Sequence, residues 1–211
     1  MSGNTTRREF LKVAGLAGGA LGLGLAASAM AGPVGTPARP LNILILGGTG
    51  FIGPHMVRYA LARGHEVTLF NRGQSNTHLF PGVENLVGDR NGDMESLRGR
   101  KWDVCMDNNA SSPDWVTYST EFLKESVDRY FYVSSRSAYS DLSAIPMHSG
   151  APTFTHETAG VEPGAEKLPY GLRKALCERQ TQRVFGNRSN VVRPGLIIGP
   201  GDPTDRFTYW P

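Results

Sequence analysis

The chain has 211 residues, a formal charge of +3, 26 glycines and two cysteines. That length supports one globular domain with a sizeable core, and the near balance of 22 basic against 19 acidic residues argues against a polyanion-binding surface. Cys105 and Cys177 have neither CxxC nor metal-ligand spacing, so a cysteine-built metal site is excluded and both read as buried small hydrophobes rather than a disulfide.

The chain opens on an address. Thr6 to Lys12, TRREFLK, is followed by an uncharged Gly/Ala/Leu stretch from Val13 that ends in Ala29-Met30-Ala31. A charged start, a modest apolar centre and a small-residue A-x-A end form an export signal over residues 1–31, and the paired Arg7-Arg8 mark the twin-arginine route. The expectation is a periplasmic or secreted protein whose partner in transit is the twin-arginine export machinery. A membrane anchor needs about 20 strongly apolar residues, and Gly15, Gly18, Gly19, Gly22 and Gly24 dilute this run. Residues 32–40, with Pro33, Pro37 and Pro40, read as a flexible linker, and 41–211 as the domain. The signal accounts for +2 of the total charge, leaving +1 for the remainder.

Leu41 to Gly53, LNILILGGTGFIG, is a buried strand turning sharply into a helix. Glycines at 47, 50 and 53 let a pyrophosphate approach backbone N–H groups at the positive end of a helix, a dinucleotide cradle whose spacing is tighter than GxGxxG. His55 to Arg63 continues the helix and stops at Gly64, and Pro54 is tolerated in its first turn. His65 to Phe70 is the second strand of a β-α-β unit. An acidic residue that would hold a ribose 2′-OH is missing at its end, where Asn71-Arg72-Gly73 stands instead. Arg72 suits a 2′-phosphate, favouring NADP over NAD, or is a solvated loop charge.

Val83 to Val87 is a third strand ending in Gly88-Asp89-Arg90, and Asp103 to Asp107 a fourth, leading to Asn108-Asn109-Ala110-Ser111. In an open parallel sheet the ligand lies beyond the carboxyl ends of the strands. Asp89, Arg90, Asn109 and Ala110 thereby become candidate cofactor contacts, with turn chemistry the alternative for Asp89 and Asn109. Arg129 to Val133 is a fifth strand, and Ser134-Ser135-Arg136-Ser137-Ala138-Tyr139 hangs from its end. Residues 140–168, with Pro146, Pro152 and Pro163, form either a cover over the site or an irregular loop. His148 and His156 lack a third ligand, so no metal site is expected.

Pro169 opens a helix that puts Tyr170 and Lys174 on one face. A tyrosine has a pKa of about 10, and bringing it near neutrality takes about 4 kcal/mol of phenolate stabilisation. A neighbouring ammonium and a cationic nicotinamide ring are charges of the right sign. A serine hydroxyl holding the substrate oxygen would complete an alcohol–carbonyl interconversion by hydride transfer.

GGTGFIG, YVSSRSAY, YGLRK and the Val192 to Gly201 run VRPGLIIGPG, taken as a further strand, together resemble the extended short-chain dehydrogenase/reductase family, the NAD-dependent epimerase/dehydratase group. The resemblance implies an α/β fold, a Rossmann-like doubly wound parallel sheet. It implies an NAD(P)-dependent epimerase, dehydratase or reductase acting on a sugar-like or small hydroxylated substrate. By the family pattern Ser135 is the active serine with Ser134 second, Tyr170 the base, and Lys174 the residue that lowers its pKa and binds ribose. Thr49, Phe51 and Ile52 join Gly47, Gly50 and Gly53 on the cofactor, as do Asn71, Arg72, Ser134, Pro194, Leu196 and Ile197. Two departures stand out. LFNRG with GGTGFIG and GDR resembles a branch that includes chloroplast RNA-binding relatives, so a nucleic-acid-binding relative is the alternative, opposed by the small residual charge. Family members also continue well past residue 211, so the sequence reads as C-terminally truncated, without its substrate domain. An unpaired sheet edge then implies a homodimer or poor solubility, and a cofactor-binding fragment without turnover is a further alternative.

Overall fold

Strand β1, Asn42–Leu46, has the sequence NILIL, and its last four residues are buried. An apolar run without polar alternation suits a central parallel strand covered on both faces. In the computed structural model, which describes residues 38–202 apart from 109 and 144, that is its place. Six parallel strands stand in the order β3-β2-β1-β4-β5-β6. They are β1, β2 (Glu66–Asn71), β3 (Glu84–Val87), β4 (Trp102–Asp107), β5 (Val127–Val133) and β6 (Ser189–Val192). Helices α1 (Gly53–Ala62), α2 (Pro113–Leu123) and α3 (Tyr170–Phe185) connect and cover them. This is a Rossmann-like doubly wound α/β fold. The described residues fall within one compact unit. The expected export signal 1–31, most of the expected linker, Asn109 and the segment 203–211 lie outside the described residues.

The period-two alternation of β1 divides the core. Ile43 and Ile45 pack with Val67, Leu69 and the α1 residues Val57 and Ala60. Leu44 and Leu46 face the other way, with Cys105, Tyr130 and Tyr132 from neighbouring strands, Val116 and Leu123 from α2, and Cys177 and Phe185 from α3. Both cysteines are free and buried. Strand order reverses between β1 and β4, the switch point beyond which an open sheet of this kind forms its crevice.

Several boundaries differ from those read in the sequence. Helix α1 begins at Gly53 with Pro54 in its first turn, where the missing N–H has no intrahelical acceptor to lose, and it ends at Ala62, one residue before the Arg63 read from the sequence. Strand β2 runs one residue later, and His65 uses its Nδ1 to accept the Leu41 backbone N–H at 3.1 Å. The Val192 to Gly201 run is not a strand: β6 ends at Val192. Beyond it, Pro194 still accepts the Arg136 N–H at 2.9 Å, so this segment follows the end of β5 without forming ladder pairs. Among the described residues no helix is long and apolar enough to cross a membrane, and no three His, Cys, Asp or Glu residues cluster as metal ligands.

Candidate active site

Beyond the carboxyl ends of β1 and β4, the turn Gly47–Gly53 leads into α1. Gly47 has φ +104°, a left-handed conformation that side chains resist, and an added Cβ would meet Asn108 Oδ1 at 2.6 Å. Gly53 is required for a different reason, since its Cβ would lie 2.5 Å from the Gly48 backbone, where the helix crosses the strand end. At Gly50 nothing lies within 4 Å of a built Cβ, so the turn is open to a ligand there. No side chain caps α1, and its first turn carries no acidic residue. The Gly53 N–H donates to Gly50 O at 3.1 Å and Pro54 has none, so of the first three helical positions His55 keeps its N–H for an anion at the positive end of the helix, and a dinucleotide pyrophosphate fits the chemistry of this open turn.

A cleft of about 440 Å³ opens beside the turn and extends to the end of β5 and to α3. Gly47, Gly50, Phe51, Ile52 and Gly53 line it, as do Ala110, Ser134, Ser135, Tyr170, Lys174, Pro194, Leu196 and Ile197. Gly48, Asn108, Ser111, Val133, Ser137 and Gly195 also line it and were not singled out from the sequence. A smaller cavity of about 160 Å³ adjoins it and shares Gly47 and Gly50. Its lining holds Thr49, Asn71, Arg72, Asp89 and Arg90, together with the unforeseen Phe70, Gln74, Ser75, Gly88 and Trp115.

Side chains in the smaller cavity are partly committed elsewhere. Asn71 Nδ2 donates to Asn85 Oδ1 at 2.9 Å, and its Oδ1 accepts the Gly73 N–H at 2.8 Å, which shapes the turn after β2. Asp89 Oδ1 accepts the Asn91 N–H at 2.9 Å, so Asp89 performs turn chemistry while lining the cavity. Arg90 was read as a cofactor contact, yet its Nη1 donates to the fully buried Asp107 at 2.7 Å. Tyr130 OH donates to the other oxygen of that carboxylate at 2.8 Å. Arg90 thus braces the ends of β3 and β4 together. Arg72 is exposed on the cavity rim with no ion pair among the described residues.

At the far end of the larger cleft, α3 presents Tyr170 half exposed and Lys174 4% exposed. Lys174 Nζ donates to Ala110 O at 2.8 Å and Val133 O at 2.7 Å, and lies 4.4 Å from the Tyr132 ring centroid. Two of its three N–H donors are used, leaving one for the cleft. Burial pulls its pKa down to about 8, against the opposing pull of Asp107. No hydrogen bond among the described residues holds the Tyr170 hydroxyl; Tyr170 lines the cleft together with Lys174, and the Arg173 guanidinium lies 5.8 Å from its ring centroid.

The two serines divide their work. Ser134 was expected to contact cofactor, but its hydroxyl donates in a very short bond to the buried Glu178 carboxylate. Ser135 Oγ accepts the Ser137 N–H at 3.1 Å as the cap of the short turn Arg136–Ala138. Its own proton is left without an acceptor among the described residues. Gly171 brings α3 against this turn, since a Cβ there would collide with Ser137 O.

Residues 43–98 match the model of the NAD dependent epimerase/dehydratase family. Over those residues the chain resembles that family. It is 42% identical over 183 residues to a 3-beta-hydroxysteroid dehydrogenase of Mycolicibacterium neoaurum, covering 77% of this chain and 49% of the relative. It is 34% identical over 122 residues to the chloroplast stem-loop binding protein of 41 kDa b of Arabidopsis thaliana, covering 50% of this chain and 32% of that one. Among solved structures, a UDP-galactose 4-epimerase superposes with a TM-score of 0.56 at 25% identity, over 72% of this chain and 55% of that chain. The chain spans about half the length of the curated relatives it matches.

Proposed function

We propose that this chain carries the nucleotide-binding and proton-transfer portion of an exported, NADP-dependent oxidoreductase or epimerase that acts on a small hydroxylated or sugar-like substrate. One observation carries the reading. An open glycine turn, a serine with an unspent proton and an exposed phenol beside a buried ammonium all face one cleft.

The residues would act as follows. The Gly47–Gly53 turn and the N-terminus of α1 would bind the pyrophosphate, and the smaller cavity the adenosine end. Arg72 supports the choice of NADP, because an exposed guanidinium where β2 ends attracts the 2′-phosphate that a carboxylate would repel. A bound nicotinamide supplies a site that gives or takes a hydride. Ser135 would donate to the substrate oxygen, and Tyr170 would take or give the proton on that oxygen. The third N–H of Lys174 would hold a ribose hydroxyl, and its positive charge would favour the Tyr170 phenolate. Export rests on Arg7-Arg8 and the stretch that follows them, and a homodimer is the expected assembly.

The test is turnover of a 3β-hydroxysteroid and of UDP-galactose by the full chain with NADP or NAD. Tyr170→Phe should lower kcat by about 100-fold or more while nucleotide affinity holds. Unchanged turnover would remove Tyr170 from the chemistry. A second reading, RNA binding, draws support from the likeness to the stem-loop binding protein. It predicts salt-dependent RNA affinity without recoverable nucleotide, whereas the first reading predicts NADP released from protein purified from its natural host.

A further inference from the structure

Helix α3 carries a third residue on the face that holds Tyr170 and Lys174. Glu178 follows Lys174 by four residues and is 2% exposed. Its Oε1 accepts from Ser134 and from Arg193 Nε at 2.9 Å, and its Oε2 accepts from Arg193 Nη2 at 2.7 Å. Arg193 also donates from Nη1 to Ser149 O at 2.7 Å, and its guanidinium lies 4.6 Å from the Tyr139 ring centroid. The pairing with Glu178 drives the Arg193 pKa further up. Four segments therefore meet at one buried ion pair: α3, the serine turn after β5, the segment after β6, and the connection through Ser149.

We infer that Glu178 and Arg193 are positioning residues, which set the distance between Tyr170 and the opposite wall of the cleft. Neither lines the cleft, but both are bonded or adjacent to residues that do: Ser134 and Ser135 on one side, Pro194 to Ile197 on the other. A buried ion pair is a poor device for stability alone, since desolvation offsets much of its attraction and an apolar pair of similar volume often serves as well. An apolar pair cannot orient the Ser134 hydroxyl and the Ser149 carbonyl together. The bidentate geometry can, and it fixes the Arg193 side chain against α3 at two points. The inference rests on the nucleotide reading of the cleft and concerns its nicotinamide end.

The experiment compares two ligands on the full chain: the nicotinamide nucleotide, NADPH or NADH, that the wild type binds more tightly, and the matching ADP-ribose, which lacks the nicotinamide. The wild type should bind the whole nucleotide more tightly. In Glu178→Gln and in Arg193→Met that advantage should fall about tenfold, while ADP-ribose affinity stays within about twofold. Amide exchange should accelerate at 134–139 and 193–197 and stay unchanged in β1 and α1. The double variant Glu178→Leu with Arg193→Met should regain the melting temperature without regaining the advantage. If the double variant restores both, or the single variants leave the advantage intact, the pair is structural only and the inference falls. A wild type that binds neither ligand overturns the nucleotide reading itself, and the inference with it. A wild type that binds both equally overturns the inference alone.

Discussion

The two ends of the cleft are made by opposite means. The glycine end is one contiguous stretch of thirteen residues or fewer, Leu41 to Gly53, whose geometry follows from missing side chains and from a covalent strand-to-helix link. The helix end is assembled from α3, the serine turn and the segment after β6, which are distant in sequence and are held by buried charged and hydroxyl groups. The first end cannot be misassembled without breaking the fold. The second can loosen while the fold persists, so damage to the two ends should have different signatures.

The largest effect is expected at the glycine end. Gly53→Val would drive a branched side chain into the Gly48 backbone, which cannot rotate away as a side chain could. The expected loss is about 3 kcal/mol or more of stability, together with all nucleotide affinity. Urea unfolding and nucleotide titration check it, and a variant that keeps its midpoint would show that the turn yields more easily than its contacts imply.

At the helix end the corresponding experiment is a pH series on Lys174. Burial holds its pKa at about 8 against the ordinary 10.5. Between those values the unfolded chain binds the proton and the folded chain has released it, so this group's contribution makes stability rise with pH across that window and leaves it flat below. The rise should be on the order of 3 kcal/mol. Lys174→Met should abolish it, read as the difference between the two proteins, because other groups also titrate there. The substitution removes the Lys174 donor from Val133 O at the end of β5 and from Ala110 O, which keeps the Tyr132 hydroxyl at 2.8 Å, so it also disturbs this wall of the cleft.

A smaller effect separates the cavities. Arg72→Ser should reduce preference for NADP over NAD about tenfold, or roughly 1.4 kcal/mol, without changing the melting temperature. Equal affinities in the wild type would make Arg72 a solvated loop charge. Ser134→Ala and Ser135→Ala, compared side by side, separate the two hydroxyls. The first removes one donor from Glu178, which keeps Arg193, and should lower turnover only several-fold. The second removes the proton aimed at substrate and should cost about 100-fold, without weakening nucleotide binding.

How much of this was legible in the sequence follows the same division. The strand, the glycines and the α/β alternation could be read because each signal lies within a few neighbouring residues, and the parallel sheet order agrees with them. Tyr170 and Lys174 could be paired because helical periodicity is local. Arg90 lines the smaller cavity, but its bond to Asp107 was not legible, because that partner is seventeen residues away and fully buried, a placement no local pattern reveals. Ser134 lines the larger cleft, and the acceptor of its hydroxyl is hidden in the same way, Glu178 standing forty-four residues on. Glu178 was visible at a four-residue interval beyond Lys174, but its meaning depends on Arg193, which reaches it only after β6 has paired with β5. Trp115 entered the smaller cavity unannounced, as one apolar residue in the first turns of a helix.

Cys105 and Cys177 have a practical consequence. Both are buried, and burial raises both thiols, Cys177 to about 11, so neither supplies much thiolate near neutral pH. A maleimide reagent should leave the folded protein almost untouched. A single cysteine engineered onto the rim would then take a dye selectively, with no need to delete the native pair first.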